Sequence, residues 1–124
     1  MPGSSFIEII NTTTDNVTQS YQGTQGIQSV AFSPSGKLAY ITDGDSVIVF
    51  NVTSNKLAYT IANISISPYN ITISPSGAFA YVTGTSNSTV AVINTASNKV
   101  VDEINTIQTN GYAYGCPCSI ALKP

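Results

Sequence analysis

Apolar and polar residues alternate in short runs along the chain, and the same runs return after about 42 residues. The segment SVAFSPSGKLAYIT (29–42) matches NITISPSGAFAYVT (70–83), and VIVFNVTSNKLAYTI (47–61) matches VAVINTASNKVVDEI (90–104). A period of two with many β-branched residues is typical of β-strands, and no helix-length stretch carries an apolar stripe. The pattern therefore predicts an all-β repeat protein.

Each repeat is predicted to form four antiparallel strands, called strands one to four here. Ser-Pro-Ser-Gly at 33–36 and 74–77 predicts a tight hairpin between strands one and two, because proline presets φ and glycine supplies a left-handed position. Thr-Ser-Asn-Lys (53–56) and Ala-Ser-Asn-Lys (96–99) predict the turn between strands three and four. Four-stranded units of this length are the blades of a β-propeller.

The repeat divides the chain into predicted units. Closed propellers have about four to eight blades, so two full blades and two partial ones do not close a ring. We expect either a piece of a longer propeller or blades that another chain completes. The units are an N-terminal segment that is disordered or foreign to the protein (1–5), then a propeller segment (6–124) with a partial blade of strands three and four (6–22), two full blades (27–62 and 68–105) and the first strand of a further blade (117–124).

Two consecutive segments of the second full repeat, SPYNITISPSGAFAYVTG and NSTVAVINTASNKVVDEI, follow a known order of motifs. Together with Tyr81-Val82-Thr83 and its counterpart Tyr40-Ile41-Thr42, they resemble the YVTN-type β-propeller repeat. The resemblance implies a propeller fold and a domain like those of archaeal and bacterial surface-layer and secreted proteins. The sequence departs from the family pattern after the Thr of the motif and after strand three, at Gly84, Asp43, Asn11, Asn51 and Asn94.

The amino-acid composition limits which partners and catalytic groups this segment can have. The chain has four basic residues, all Lys, no His and a net charge of −2, which does not suit nucleic acid. Without His there is no Ser-His-Asp triad and no imidazole ligand in this segment. No apolar run reaches the roughly 18 residues of a membrane helix, and MPGSSFIEII does not resemble a signal peptide. We therefore predict that the segment is not an enzyme, binds no cofactor and has no membrane span.

Two pairs of residues are weak candidates for site chemistry. Asp43 and Asp45 flank Gly44 and offer oxygens to a hard cation, but calcium takes about six to eight ligands, so a plain turn is favoured. Cys116 and Cys118 lie at the start of the last predicted strand, as a candidate disulfide or thiol pair or as two half-buried thiols. One such pair is a weak metal signal, since structural zinc usually takes four ligands.

The connections between strands two and three and between strands four and one differ strongly among the repeats. In a propeller they lie on one face, and binding residues often stand in variable loops on a rigid scaffold. Tyr112 and Tyr114 would suit a protein or carbohydrate surface. The predicted binding-face residues are Asp43, Asp45, Asn63, Asn87, Tyr112 and Tyr114.

Six Asn-X-Ser/Thr sequons occur, and those at Asn16, Asn63 and Asn87 fall in or near loops where glycans would fit. Together with the resemblance, they predict an extracellular or cell-surface location. The interpretation is a non-catalytic structural or binding module. Two alternatives stay open, a subunit that assembles into a ring or filament by sharing blades and a fragment of a propeller enzyme whose active site lies elsewhere. The expected partners are other copies through edge strands, further blades of a longer chain, or a protein or carbohydrate surface.

Overall fold

The computed structural model describes residues 6–23, 26–62, 64, 68–84 and 89–105. Within these residues the chain forms ten β-strands and no helix. Each strand has six or seven residues, which matches the short alternating runs of the sequence. The strands are β1 (Phe6–Asn11), β2 (Asn16–Gln22), β3 (Ile27–Phe32), β4 (Leu38–Asp43), β5 (Ser46–Asn51), β6 (Lys56–Ile61), β7 (Pro68–Ile73), β8 (Phe79–Gly84), β9 (Thr89–Asn94) and β10 (Lys99–Asn105).

These strands build three antiparallel sheets in which chain neighbours pair with each other. The first sheet holds only β1 and β2, the second runs β3-β4-β5-β6, and the third runs β7-β8-β9-β10. The predicted all-β fold with four-stranded antiparallel blades is therefore confirmed. Residues 1–5 and the strand predicted at 117–124 lie outside the described residues.

The Ser-Pro-Ser-Gly segments form the predicted hairpins. In the first, the Ser33 hydroxyl accepts a hydrogen bond from the Leu38 N–H at 3.2 Å, and the Ser33 carbonyl accepts one from the Gly36 N–H at 2.8 Å. In the second hairpin, Gly77 has a φ of 81°, and a Cβ there would lie 3.1 Å from Cδ of Pro34. Glycine is therefore needed both for its left-handed backbone and for the close approach of the two hairpins.

An asparagine closes each turn between strands three and four. The Asn51 Oδ1 accepts a hydrogen bond from the Ser54 N–H at 3.0 Å, and the Asn94 Oδ1 accepts one from the Ala96 N–H at 2.9 Å. Asparagine thus makes the local bond to the backbone that its place in the sequence predicts. The left-handed residues of these turns are Asp15, Asn55 and Asn98, with φ values of 58°, 58° and 56°.

Two apolar clusters pack on opposite faces of the second sheet. One lies between the second and third sheets and includes Tyr40, Val49, Val82 and Ile93. The other lies between the second sheet and the β1–β2 pair, where Ile41 and Phe50 contact Ile7, Ile9 and Tyr21. The middle strands β4 and β5 are buried on both faces, which is why their sequences are nearly continuous runs of apolar residues. No helix of the described chain is long and apolar enough to cross a membrane.

Candidate functional site

Both described four-stranded sheets carry a bulge in their first strand, and a threonine from the second strand fills it. The register shifts between Ile27 and Ser29 in β3, and at the matching place between Pro68 and Asn70 in β7. The fully buried Thr42 hydroxyl accepts a hydrogen bond from the Ser29 N–H at 2.9 Å. A bulge interrupts the ladder of backbone bonds, so the side chain takes the place of a missing acceptor.

Thr83 repeats this arrangement in the third sheet. Its hydroxyl accepts a hydrogen bond from the Asn70 N–H at 3.1 Å and is also fully buried. Thr42 and Thr83 are the threonines of the Tyr-Ile-Thr and Tyr-Val-Thr motifs. The motif threonine is thus a structural residue that holds strand one to strand two.

The same positions join neighbouring sheets. The Thr42 hydroxyl lies 3.3 Å from the Tyr69 carbonyl, and the Ser29 hydroxyl donates to the Asn70 Oδ1 at 2.7 Å. The Asn70 Oδ1 also accepts a hydrogen bond from the Ile71 N–H at 2.9 Å. Asn70 belongs to a sequon, but its side chain is partly buried and its Oδ1 is bonded between β3 and β7, which disfavours a glycan there.

Replacing Thr42 by valine should destabilise the fold, because the partly buried Ser29 N–H would lose its acceptor. An unsatisfied buried donor costs about 1–3 kcal/mol in the free energy of unfolding. Thr42→Ser keeps the hydroxyl and should cost less. Thr83→Val removes the matching local bond but no described bond to a further sheet, so its cost should be smaller than that of Thr42→Val. Urea unfolding of the three variants measures this, and equal losses for Thr42→Val and Thr42→Ser would contradict it.

The connection between β4 and β5 lies against two other connections at the opposite end of β4 from the Ser-Pro-Ser-Gly hairpin. The Gly26 carbonyl accepts a hydrogen bond from the Gly44 N–H at 3.1 Å, and the Asp45 carbonyl accepts one from the Ile64 N–H at 3.0 Å. Gly26 lies in the connection from β2 to β3, and Ile64 lies in the connection from β6 to β7. The β4–β5 connection therefore contacts the connections that precede and follow the second sheet. We call this surface the loop face.

The two aspartates on the loop face occupy different environments. Asp43 is buried, with an exposed fraction of 1%, and its carboxylate accepts a hydrogen bond from the Gly26 N–H at 2.8 Å. Asp45 is exposed, and its carboxylate accepts a hydrogen bond from the Ser46 hydroxyl at 3.1 Å. Within the described ranges no three residues of the types His, Cys, Asp and Glu come together as a metal site. Asp43 therefore holds two connections of the loop face together by a partly buried hydrogen bond, whereas Asp45 faces solvent.

Tyr21 is a neighbour of Asp43 that the sequence did not single out. Its ring packs on Phe50 with ring centroids 5.4 Å apart. Burial raises the pKa of Tyr21 above the ordinary value of 10.0, and the negative charge of Asp43 raises it further. A group whose pKa is raised by folding stabilises the fold below pH 10, and this contribution is lost as the pH rises through the folded pKa.

Asp43→Asn should lower the pKa of Tyr21 toward 10.0 without reaching it, because burial is the larger cause and stays in place. Ultraviolet titration of tyrosinate at alkaline pH measures this, with Tyr21→Phe identifying the signal. Asp45→Asn is the matched control, since Asp45 is exposed and no charge effect of it on Tyr21 is found. An equal shift of the Tyr21 pKa in both variants would show that the local field of Asp43 is not the cause.

Most of the remaining predicted site residues lie outside the described residues. Asn16 is described, stands exposed as the first residue of β2 and pairs with Asn11. Its position leaves room for a glycan. The others, of which the structure describes nothing, are Asn63, Asn87, Tyr112, Tyr114, Cys116 and Cys118.

A cleft of about 390 Å³ lies between the hairpins of the second and third sheets, away from the loop face. Its lining has hydroxyl groups and apolar surface but no charged side chain. Tyr40 is nearly fully buried there, and burial raises its pKa. The lining includes Ser33, Pro34, Leu38, Tyr40, Gly77 and Thr95.

The sheets and their connections define the chain as a set of β-propeller blades. No protein-family model matches the chain, and no curated protein matches it either. Among solved structures it is similar to the hydrazine synthase of Kuenenia stuttgartiensis, with a TM-score of 0.69 and 24% identity over 82% of this chain and 32% of that one. It is also similar to dihydro-heme d1 dehydrogenase NirN in complex with DHE, with a TM-score of 0.72 and 16% identity over 87% of this chain and 24% of that one.

Both of these proteins contain β-propellers. At such identities the likeness shows the fold alone. The chain spans 32% and 24% of the lengths of the two chains that it matches.

Proposed function

We propose that the chain is a non-catalytic structural and binding module of a cell-surface or secreted β-propeller protein of the YVTN type. Binding takes place on the loop face, and the partner is a protein or carbohydrate surface. The resemblance of the Tyr-Ile-Thr and Tyr-Val-Thr repeats to YVTN repeats supports the class of protein. The sequons, with Asn16 exposed, support the location outside the cell.

One observation carries the proposal. Polar side chains that recur in both repeats form hydrogen bonds within the sheets, whereas the polar side chains of the variable connections change in type from one repeat to the next. Thr42, Ser33 and Asn51 illustrate this, because the side-chain oxygen of each accepts a hydrogen bond from a backbone N–H. Asp45, by contrast, is an exposed side chain of a connection that has no acidic counterpart in the next repeat. Variable groups on a rigid frame are a common arrangement for recognition.

The proposal predicts that the chain binds a surface component through its loop face. The probes are a glycan array and isolated cell-wall polysaccharide. Tyr112→Ala and Tyr114→Ala should weaken binding by about ten-fold or more, since an aromatic anchor often contributes about 2 kcal/mol. Lys37→Ala is the matched control, because Lys37 is exposed in the hairpin at the other end of the sheet. Absence of any bound glycan, or equal loss in the Lys37 variant, would contradict a carbohydrate-binding loop face.

A self-assembling subunit is the second candidate, and exposed apolar residues of the two-stranded sheet favour it. Phe6, Ile10 and Val17 are each more than half exposed. Sharing of blades would cover such residues through contacts that close into rings or continue into filaments. Light scattering over a hundred-fold range of concentration should then show a rise in mass, whereas a monomer at every concentration would reject assembly.

A fragment of a propeller enzyme is the third candidate. The two similar solved structures carry enzyme names, which is compatible with it. This candidate places the catalytic groups in polypeptide beyond this segment, and the absence of His from the chain counts against it.

A further inference from the structure

The second and third sheets present matching faces, but only that of the third sheet is covered by a four-stranded sheet. Val30 and Phe32 of β3 are 40% and 50% exposed. Their counterparts 41 residues later are Ile71, which is 4% exposed, and Ile73, which packs against the same apolar cluster. Equivalent residues thus differ in exposure because their surroundings differ.

The pairing register shows which way Val30 and Phe32 point. Val30 pairs with Ile41, and Phe32 pairs with Ala39, so each shares a sheet face with its partner. Ile41 and Ala39 belong to the cluster that faces the β1–β2 pair. Val30 and Phe32 therefore lie on the face of the second sheet that points toward the first sheet. They stand beside the part of this face that β1 and β2 cover.

The interface between the second and third sheets shows what covers this place when it is filled. Ile73 there packs in one cluster with Ala31, Leu38 and Tyr40, which come from strands one and two of the preceding sheet. The Thr42 hydroxyl of that same preceding sheet lies 3.3 Å from the carbonyl of Tyr69. The position that matches Tyr69 in the second sheet is Gln28.

The first sheet lacks these two strands within the described residues. β1 aligns with β5, which pairs with strand two on one side and strand four on the other. β1 pairs with β2, its strand four, and the edge that would meet strand two has no described partner. β1 also contributes Ile7 and Ile9 to the apolar cluster between the first and second sheets, so its open edge lies beside that cluster.

We propose that the edge of β1, together with Val30 and Phe32, is a docking site for a β-hairpin of this repeat's own strand-one and strand-two type. The hairpin adds to the edge of β1 by backbone hydrogen bonds, as in strand addition to an open sheet. Its Leu and Tyr cover Val30 and Phe32, and its motif Thr donates to the Gln28 carbonyl. This inference concerns the assembly of blades and does not depend on what the loop face binds.

The test supplies such a hairpin in the same chain. Residues 1–5 are replaced by a copy of IQSVAFSPSGKLAYITDGD (27–45), which places Asp-Gly-Asp directly before Phe6 as it stands before Ser46. Backbone amides of β1 that face the added strand should exchange with solvent at least about ten-fold more slowly, since the added strand bonds to them and buries large apolar side chains beside them. The melting temperature should rise by about 4 °C or more.

The matched control carries Leu38→Ser and Tyr40→Ser in the added copy only, which removes the covering side chains and leaves the original sheets intact. It should exchange at β1 as fast as the unextended chain. A second control carries Phe32→Ser in the original sheet together with the unchanged extension, and it should lose most of the gain in melting temperature. Circular dichroism checks that each protein is folded. Equal β1 exchange in the extended chain and in its Leu38→Ser, Tyr40→Ser control would overturn the proposal.

Discussion

The hydrogen bond between the Thr42 hydroxyl and the Ser29 N–H is the contact on which this architecture depends. The bulge in β3 leaves a backbone donor without a ladder partner, and the threonine supplies the acceptor within a fully buried site. The same hydroxyl lies within hydrogen-bond distance of the Tyr69 carbonyl in the next sheet. The Thr42 side chain therefore closes its own sheet and bonds to the next one, and Thr83 repeats the bond within the sheet.

In the second sheet, burial is greatest in the middle strands β4 and β5 and lower in the flanking strands β3 and β6. Strands β4 and β5 have apolar sheets or strands packed on both faces, whereas five of the six residues in β6 are exposed. The chain has only 8% charged residues, and Ser, Thr and Asn are concentrated in its turns. The outer strands β6 and β10, by contrast, also expose apolar side chains such as Leu57 and Val101.

Local features of the fold could be predicted from the sequence, and long-range polar contacts could not. The hairpin at Ser33 and the turn at Asn51 involve groups within five residues of each other, so turn chemistry alone indicates them. The bond from Gly26 to Asp43 joins groups 17 residues apart and forms only when two connections meet at the end of a sheet. For this reason the sequence offered Asp43 as a weak cation ligand and gave no sign of its structural bond.

The difference between Asp43 and its counterpart Gly84 changes how variation among the connections should be interpreted. A variable position does not by itself indicate recognition, because Asp43 is buried and bonded to a glycine of the preceding connection. The aspartate and that connection form one unit, so they are expected to change together from blade to blade. Recognition is then left to side chains that vary and also reach solvent, and of the two aspartates only Asp45 meets both conditions. Exposure, rather than variation alone, separates the binding surface of the loop face from its support.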